Sequence, residues 1–275
     1  MPTHTEIPPF TAAWEQWHAA HERQRAHPHG FLAVTHLHWL GNTSVRLDGA
    51  PGAWSVEDDA VRILLEPGES LQRDGQELNT EVGTTITIGP IEERGGIDLV
   101  AGESVIEVAK RGGKYVVRPR SPNAALLRDY RGTPAYAPNP EFSVAGTFVP
   151  FPVPRPTTVG AAVEGIQHVY EAPGEIRFEL AGQELTLTAF NGFTPGSLLV
   201  LFTDRTSGRT TYAANRSLSV VPAADGSVQL DFNRAVNLPC AYTDLATCPL
   251  PPAENRLPVA VEAGEKIPYE RQDQQ

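Results

Sequence analysis

Residues 227–266, SVQLDFNRAVNLPCAYTDLATCPLPPAENRLPVAVEAGEK, hold the side chains best suited to chemistry: Asp231, Asn233, Arg234, Asn237, Cys240, Tyr242, Cys248, Asn255, Arg256, Glu265 and Lys266. An alternating strand pattern runs there into a long proline-rich stretch. A loop of that length is either pinned to the body of a domain or forms a binding surface. A carboxylate pair for hydrolysis can be drawn from Asp204, Asp231 and Glu265, provided two of them flank a substrate at roughly 5–10 Å. Cys240 is a candidate nucleophile if a base or cation lowers its thiol pKa, but no histidine occurs between 169 and 275. Arg205, Arg209 and Arg216, with Tyr212 and Asn233, offer planar donor forks and an aromatic wall suited to a carboxylate or phosphate.

Two weaker constellations complete the survey. His36 and His38, at i and i+2 on an expected strand, point the same way as two ligands of one ion must, with His27 and His29 close in sequence. Histidines hydrogen-bonded at a strand edge beside a buried tryptophan are the stronger reading, so no metal is expected and His36 and His38 remain weak candidates. Cys240 and Cys248 lack the CxxC spacing of structural zinc sites. No GxSxG elbow, Walker loop, GxGxxG fingerprint or HExxH helix is present. The familiar enzyme classes are therefore not signalled, and the cofactor is not read from the sequence.

Composition narrows the partners. A net charge of −11 and a pI near 5.2 argue against nucleic acid, whose phosphates require a cationic surface. The start, MPTHTEIPPF, lacks a signal-peptide pattern, and no run of about 18 apolar residues occurs. A cytoplasmic protein without a membrane partner is expected, its cysteines free thiols. Oligomeric state is not read from the sequence.

The elements that must position these groups are mainly β. Phe10, Trp14, Trp17 and His21 recur at helical steps behind Pro8 and Pro9, so a helix with one apolar stripe is expected to lie on a sheet. Strands are expected at 31–36, 43–47, 61–65, 84–88, 104–109 and 114–118, separated by DG, PG and GG turns. The prolines between 120 and 160 make a regular helix or central strand difficult. Ile176, Phe178 and Leu180, then Ala181-Gly182-Gln183, then Leu185, Leu187 and Ala189 read as a hairpin with one core face. Ser197 to Phe202 reads as a buried strand. Val228, Leu230 and Phe232 alternate with Gln229, Asp231 and Asn233, which share the opposite face. The expected architecture is an N-terminal helix (1–30), a small β-sandwich-like unit (31–120), a connection (121–140) and a larger antiparallel β-barrel or sandwich unit (141–275).

FTDRTSGRTTYAANR (202–216) and LDFNRAVNLPCAYTDLATCPLPPAENRLPVAVEAGEK (230–266) resemble the two hallmark blocks of an uncharacterised bacterial and archaeal family, domain-of-unknown-function family 1684. HLHWL (36–40) and DYRGTPAYAPNPEFSVAGTFVPF (129–151) are similar to its weaker signatures. Asp204, Arg205, Tyr212, Arg216, Asp231, Asn233, Cys240, Cys248, Asn255 and Glu265 fit the pattern. Val236, Leu238, Ala213, Asn215 and Ala253 depart from it, changing packing and loop stiffness more than chemistry. The resemblance implies a fold and, for some members, a forkhead-associated-like N-terminal β region. The GR and SxxH arrangements that would hold phosphothreonine are absent here. It implies no activity.

The leading expectation is a small anionic or phosphorylated molecule bound at Arg205, Tyr212, Arg216, Asp231, Asn233 and Asn255, with Cys240 to Glu265 as a lid. A hydrolase using Asp231 or Cys240 and a protein-interaction module with a peptide on an edge of the N-terminal unit are the alternatives. A fourth possibility is that the proline-rich segment is a cap and its polar groups merely fix it, since buried loop backbone needs partners.

Overall fold

The computed structural model describes residues 9–78 and 85–272. The chain is mainly β, with several antiparallel sheets, one of them curled into a half-barrel. Its elements are α1 (Pro9–Arg25), β1 (His38–Trp39), β2 (Val45–Leu47), β3 (Ala50–Glu57), β4 (Ala60–Leu64), β5 (Gln72–Arg73), β6 (Gln76–Glu77), β7 (Thr85–Ile88), β8 (Gly96–Ala101), β9 (Ser104–Arg111), β10 (Lys114–Arg120), α2 (Ala125–Asp129), β11 (Ser143–Gly160), β12 (Gln167–Leu180), β13 (Gln183–Asn191), β14 (Leu198–Phe202), β15 (Arg216–Val220), β16 (Ser227–Asp231) and α3 (Tyr269–Gln272). Two compact units emerge, one of residues 24–130 and 245–247, the other of residues 1–23, 131–244 and 248–275. No helix among the described residues is long and apolar enough to cross a membrane.

In the smaller unit a six-stranded sheet (β1-β10-β9-β8-β5-β6) and a four-stranded sheet (β2-β3-β4-β7) contribute to one core. Trp54, Val61 and Ile63 of the second sheet join Leu99, Ile106, Val108 and Val117 of the first, all buried. The stretch 31–36 is not a strand. Phe31–Ala33 forms a 3-10 turn, and only Val34 bridges to Arg120. The expected strand start at Thr84 and the proline at Pro8 lie outside the described residues. Glu107, on β9, is buried among Arg118, Arg120 and Arg111. Burial pushes its carboxyl pKa up, but the arginines outweigh burial and hold it below the ordinary range.

In the larger unit one sheet runs β15-β14-β13-β12-β11-β16. The β12–β13 hairpin forms as expected, with Ile176, Phe178, Leu180, Leu185, Leu187 and Ala189 all buried, but Gln183 belongs to β13 opposite Leu180 rather than to the turn. Its two-residue turn holds Ala181 at φ 52° and Gly182 at φ 72°. Such turns need positive φ at both central residues, which glycine and asparagine adopt easily and alanine does not. Ala181→Asn is therefore expected to stabilise the unit by about 1 kcal/mol, read as a higher urea midpoint at unchanged slope.

β11 departs from expectation, because it is a long strand despite Pro150, Pro152, Pro154 and Pro156. Its register against β12 breaks between Pro150 and Arg155, and β16 pairs with it only over Ser143–Thr147. The prolines thus occupy the stretch where a bulge, or the lack of a second neighbour, removes the need for a donor.

Residues 9–23 of α1 group with this larger unit. Here α1 contacts loops rather than the face of a sheet. The Trp14 indole donates to the carbonyl of Asn233 at 2.7 Å, and the Thr133 amide donates to Glu22 at 3.2 Å. The Arg234 guanidinium lies 5.4 Å from the Trp17 ring centre. Trp14 stacks on His18 and Trp17 on His21, each one turn along. The stripe packs, as an apolar helix face should.

Candidate functional site

β14 and β15 are adjacent strands joined by the 203–215 connection, and Arg216 opens β15 where Phe202 closes β14. Arg216 is 1% exposed. Its Nη2 donates to Asp204 Oδ2 at 2.6 Å and to the carbonyl of Val261 at 3.0 Å, while Nη1 donates to the carbonyls of Ala263 and Glu265. Phe202 lies under the guanidinium at 5.1 Å. Burial pulls the Arg216 pKa down, and Asp204 opposes that pull. Asp204 also accepts from the amide and hydroxyl of Thr206 through Oδ1. The arginine fork therefore grips the chain's own C-terminal segment, not solvent.

That segment is a packed strap. Leu257, Val259, Val261 and Ala263 enter the main core, while Pro258, Ala260 and Glu262 between them face out. Glu265, 2% exposed, accepts the Asn237 amide at 2.6 Å. Having its alternate side chains in the core fixes the strap in place, so the expected lid is a permanent part of the unit.

Two buried asparagines act in the same way. Asn255, fully buried, accepts the Thr188 amide on Oδ1 and donates through Nδ2 to the carbonyls of Thr188 and Leu201, each at 2.8 Å. β13 and β14 pair only at Phe190–Leu199 and Asn191–Leu198. Thr188 and Leu201 lie just beyond that pairing, and the amide of Asn255 bridges them. Asn233 accepts the Asn139 amide at 2.8 Å and donates to its carbonyl at 2.9 Å and to Asp231 at 2.8 Å.

Asn233 is not on a strand: β16 ends at Asp231, and Phe232–Arg234 forms a 3-10 turn that Asp231 caps. Asp231 and Asn233 do meet, as expected. The counter-ion of Asp231 is Arg234 at 3.2 Å, three residues on.

Cys240 and Cys248 are buried free thiols, with the Cys240 amide donating to Cys248 Sγ at 3.3 Å. The hydrogen bond with Cys248, then burial, pushes the Cys240 thiol pKa well above its ordinary value, opposite to what activates a nucleophile. Tyr212 donates to the Cys240 carbonyl at 2.9 Å. Burial, with Cys240, pushes its phenol up to about 12, against the opposing Arg271. A phenol whose folded pKa exceeds its ordinary value of 10 keeps its proton longer in the folded state than in the unfolded state. Its contribution is complete below pH 10 and lost as pH rises toward 12. Wild type should therefore lose stability over that range more steeply than Tyr212→Phe, measured as urea midpoints across the alkaline limb.

Tyr212 also lines a cleft of about 410 Å³ with Thr203, Arg256 and the stretches 213–214 and 250–253. Arg256 is exposed, and no ion pair engages it among the described residues. Of the expected ligand residues, only Tyr212 lines this cleft. Arg205 and Arg209 are exposed in the preceding turn and are not among the lining residues. Arg216, Asn233 and Asn255 are interior. Arg256, named above only among the polar residues of 227–266, is placed on the cleft wall by the fold.

His36 and His38 stack at 5.4 Å in the smaller unit. His36 bonds Thr35 Oγ1 at 3.2 Å and His38 the Asp48 carbonyl at 2.9 Å, and among the described residues no three His, Cys, Asp or Glu side chains converge as a metal site would need.

The comparisons agree with the hallmark blocks. No curated protein matches the chain. A solution NMR structure of an uncharacterized protein from Haloarcula marismortui is 32% identical to it, covering 50% of this chain and 78% of that one, with a TM-score of 0.43. The sequence model described as "Protein of unknown function (DUF1684)" matches residues 128–266, which take in Arg216, the asparagine clamps, the cysteines and the cleft. The chain belongs to the DUF1684 family.

Proposed function

We propose that the chain binds a small anionic molecule in the cleft between Tyr212 and Arg256. The observation that carries this reading is an exposed guanidinium, unpaired among the described residues, on the wall of a 410 Å³ cleft. That volume suits a small metabolite. Guanidinium groups pair with carboxylate or phosphate through parallel hydrogen bonds, and the phenol wall adds a flat apolar surface. Pro251 and Pro252 stiffen the lining, which lowers the ordering cost of binding. The hydrolase readings have less support, because both Asp231 oxygens are engaged locally and the thiol of Cys240 is pushed toward its inert form.

The test is a titration of the full chain with inorganic phosphate, citrate and adenosine monophosphate, followed by amide chemical shifts. Shifts at 203, 212–214 and 250–256 are expected with at least one probe. Arg256→Ala should weaken that binding roughly ten- to a hundredfold, the value of a hydrogen bond to a charged group. Arg205→Ala should leave it unchanged. Equal affinity in wild type and Arg256→Ala, or shifts confined to other surfaces, would overturn the reading.

A further inference from the structure

The two cysteines are the one nucleophilic pair that the cleft does not use. Cys240 sits in the 3-10 turn Pro239–Ala241, and the loop returns so that its amide points at Cys248 Sγ, 3.3 Å away. Asn215 Oδ1 lies 4.0 Å from Cys240 Sγ. Both residues are buried, at 3% and 7% exposure. A sulfur 3.3 Å from the amide of the other cysteine, eight positions away in one chain, lies within local reach of that residue's thiol, which favours exchange between the two over exchange with bulk reagent.

We propose that Cys240 and Cys248 form a redox-convertible dithiol that a low-molecular-weight disulfide oxidises to an intramolecular bridge. Cys248 Sγ, the acceptor of the Cys240 amide, attacks one sulfur of the reagent. The reagent's S–S bond breaks, and one reagent thiolate leaves and takes up a proton. Cys240, deprotonated, then attacks Cys248 Sγ and expels the second reagent thiolate. Two protein S–H bonds and one reagent S–S bond become one protein S–S bond and two reagent thiols; the protein loses two electrons and the reagent gains them. The second attack is favoured because it is intramolecular, the Cys240 backbone amide lying 3.3 Å from Cys248 Sγ. A bridge would fix the turn whose Cys240 carbonyl accepts from both Tyr212 and Arg271. The inference concerns the thiols alone and stands whether or not the cleft binds an anion.

The experiment uses the full reduced chain and oxidised glutathione, with acid quench, alkylation of remaining thiols in denaturant, intact mass and peptide mapping. The expected product is lighter than the reduced chain by the two thiol hydrogens, takes up no alkylating agent, carries no glutathione and yields a peptide linking Cys240 to Cys248. Dithiothreitol should restore both thiols. Cys240→Ser should instead retain one glutathione on Cys248, since the resolving thiol is gone; where that variant does not fold, the wild-type product decides. Stable glutathione adducts on wild type would overturn the proposal. So would two thiols still fully alkylated after an exposure that bridges the urea-unfolded chain.

Discussion

Arg216→Ala should lower the stability of the larger unit by about 3–5 kcal/mol, the range found when one partner of a buried ion pair is removed. The loss comes from what remains behind. Asp204 would keep a carboxylate oxygen in the interior with no cation, and the carbonyls of Val261, Ala263 and Glu265 would lose donors in a region closed to water. Arg216→Lys should recover only part of this, because an ammonium keeps the charge but not the fork that reaches the strap and Asp204 together. Adding Asp204→Asn to Arg216→Ala should raise the denaturation midpoint above that of Arg216→Ala alone, by removing the orphaned charge. If Arg216→Ala unfolds at the wild-type midpoint, the guanidinium is not the clamp described above.

Asn255→Ala should cost on the order of 3 kcal/mol, from one amide and two carbonyls left without partners at a fully buried position. Its site of action distinguishes it from Arg216. Amide exchange should accelerate first at Thr188 and its neighbours on β13 and β14, where the strand pairing is already thin. Asn255→Asp should be worse at neutral pH, since it sets a carboxylate oxygen against the carbonyls of Thr188 and Leu201. Part of that extra loss should be regained on acidification, when a protonated carboxyl can donate one hydrogen bond. Uniform exchange rates, or an Asp variant as stable as wild type, would show that the amide does not bridge these strands.

Legibility from the sequence followed the physics of each segment. The hairpin from Ile176 to Ala189 was readable because period-2 alternation and a glycine turn both act within a few residues, although the turn is one residue shorter than Ala181-Gly182-Gln183. The family was readable because its hallmark blocks are long and compositionally unusual. β3 was not, because Pro51-Gly52 reads as a turn. The structure accepts it in a strand with Gly52 at φ 85°, where a Cβ would meet Leu65 at 2.9 Å. β8 was lost in the same way to the Gly95-Gly96 pair at its start. For the site, residue type misled. A fork of donors serves a ligand or a backbone equally well, and whether Arg216 or Arg256 faces solvent depends on a strap folding back from 257–263. The strap's own alternation of apolar and outward residues was the available sign that it packs into the core.

The proline-rich half of β11 has a consequence for the protein in a crowded solution. Beyond Phe148 this strand has β12 on one flank and no strand on the other among the described residues, so its outer side would ordinarily invite another chain to pair. Pro150, Pro152, Pro154 and Pro156 remove donors from that rim, and the Arg155 guanidinium, 3.7 Å from the ring centre of the half-buried Phe151, sets a charge beside it. An intruding strand finds an interrupted ladder and a cation to desolvate, so the segment that looked least like a strand protects the sheet from edge-to-edge aggregation.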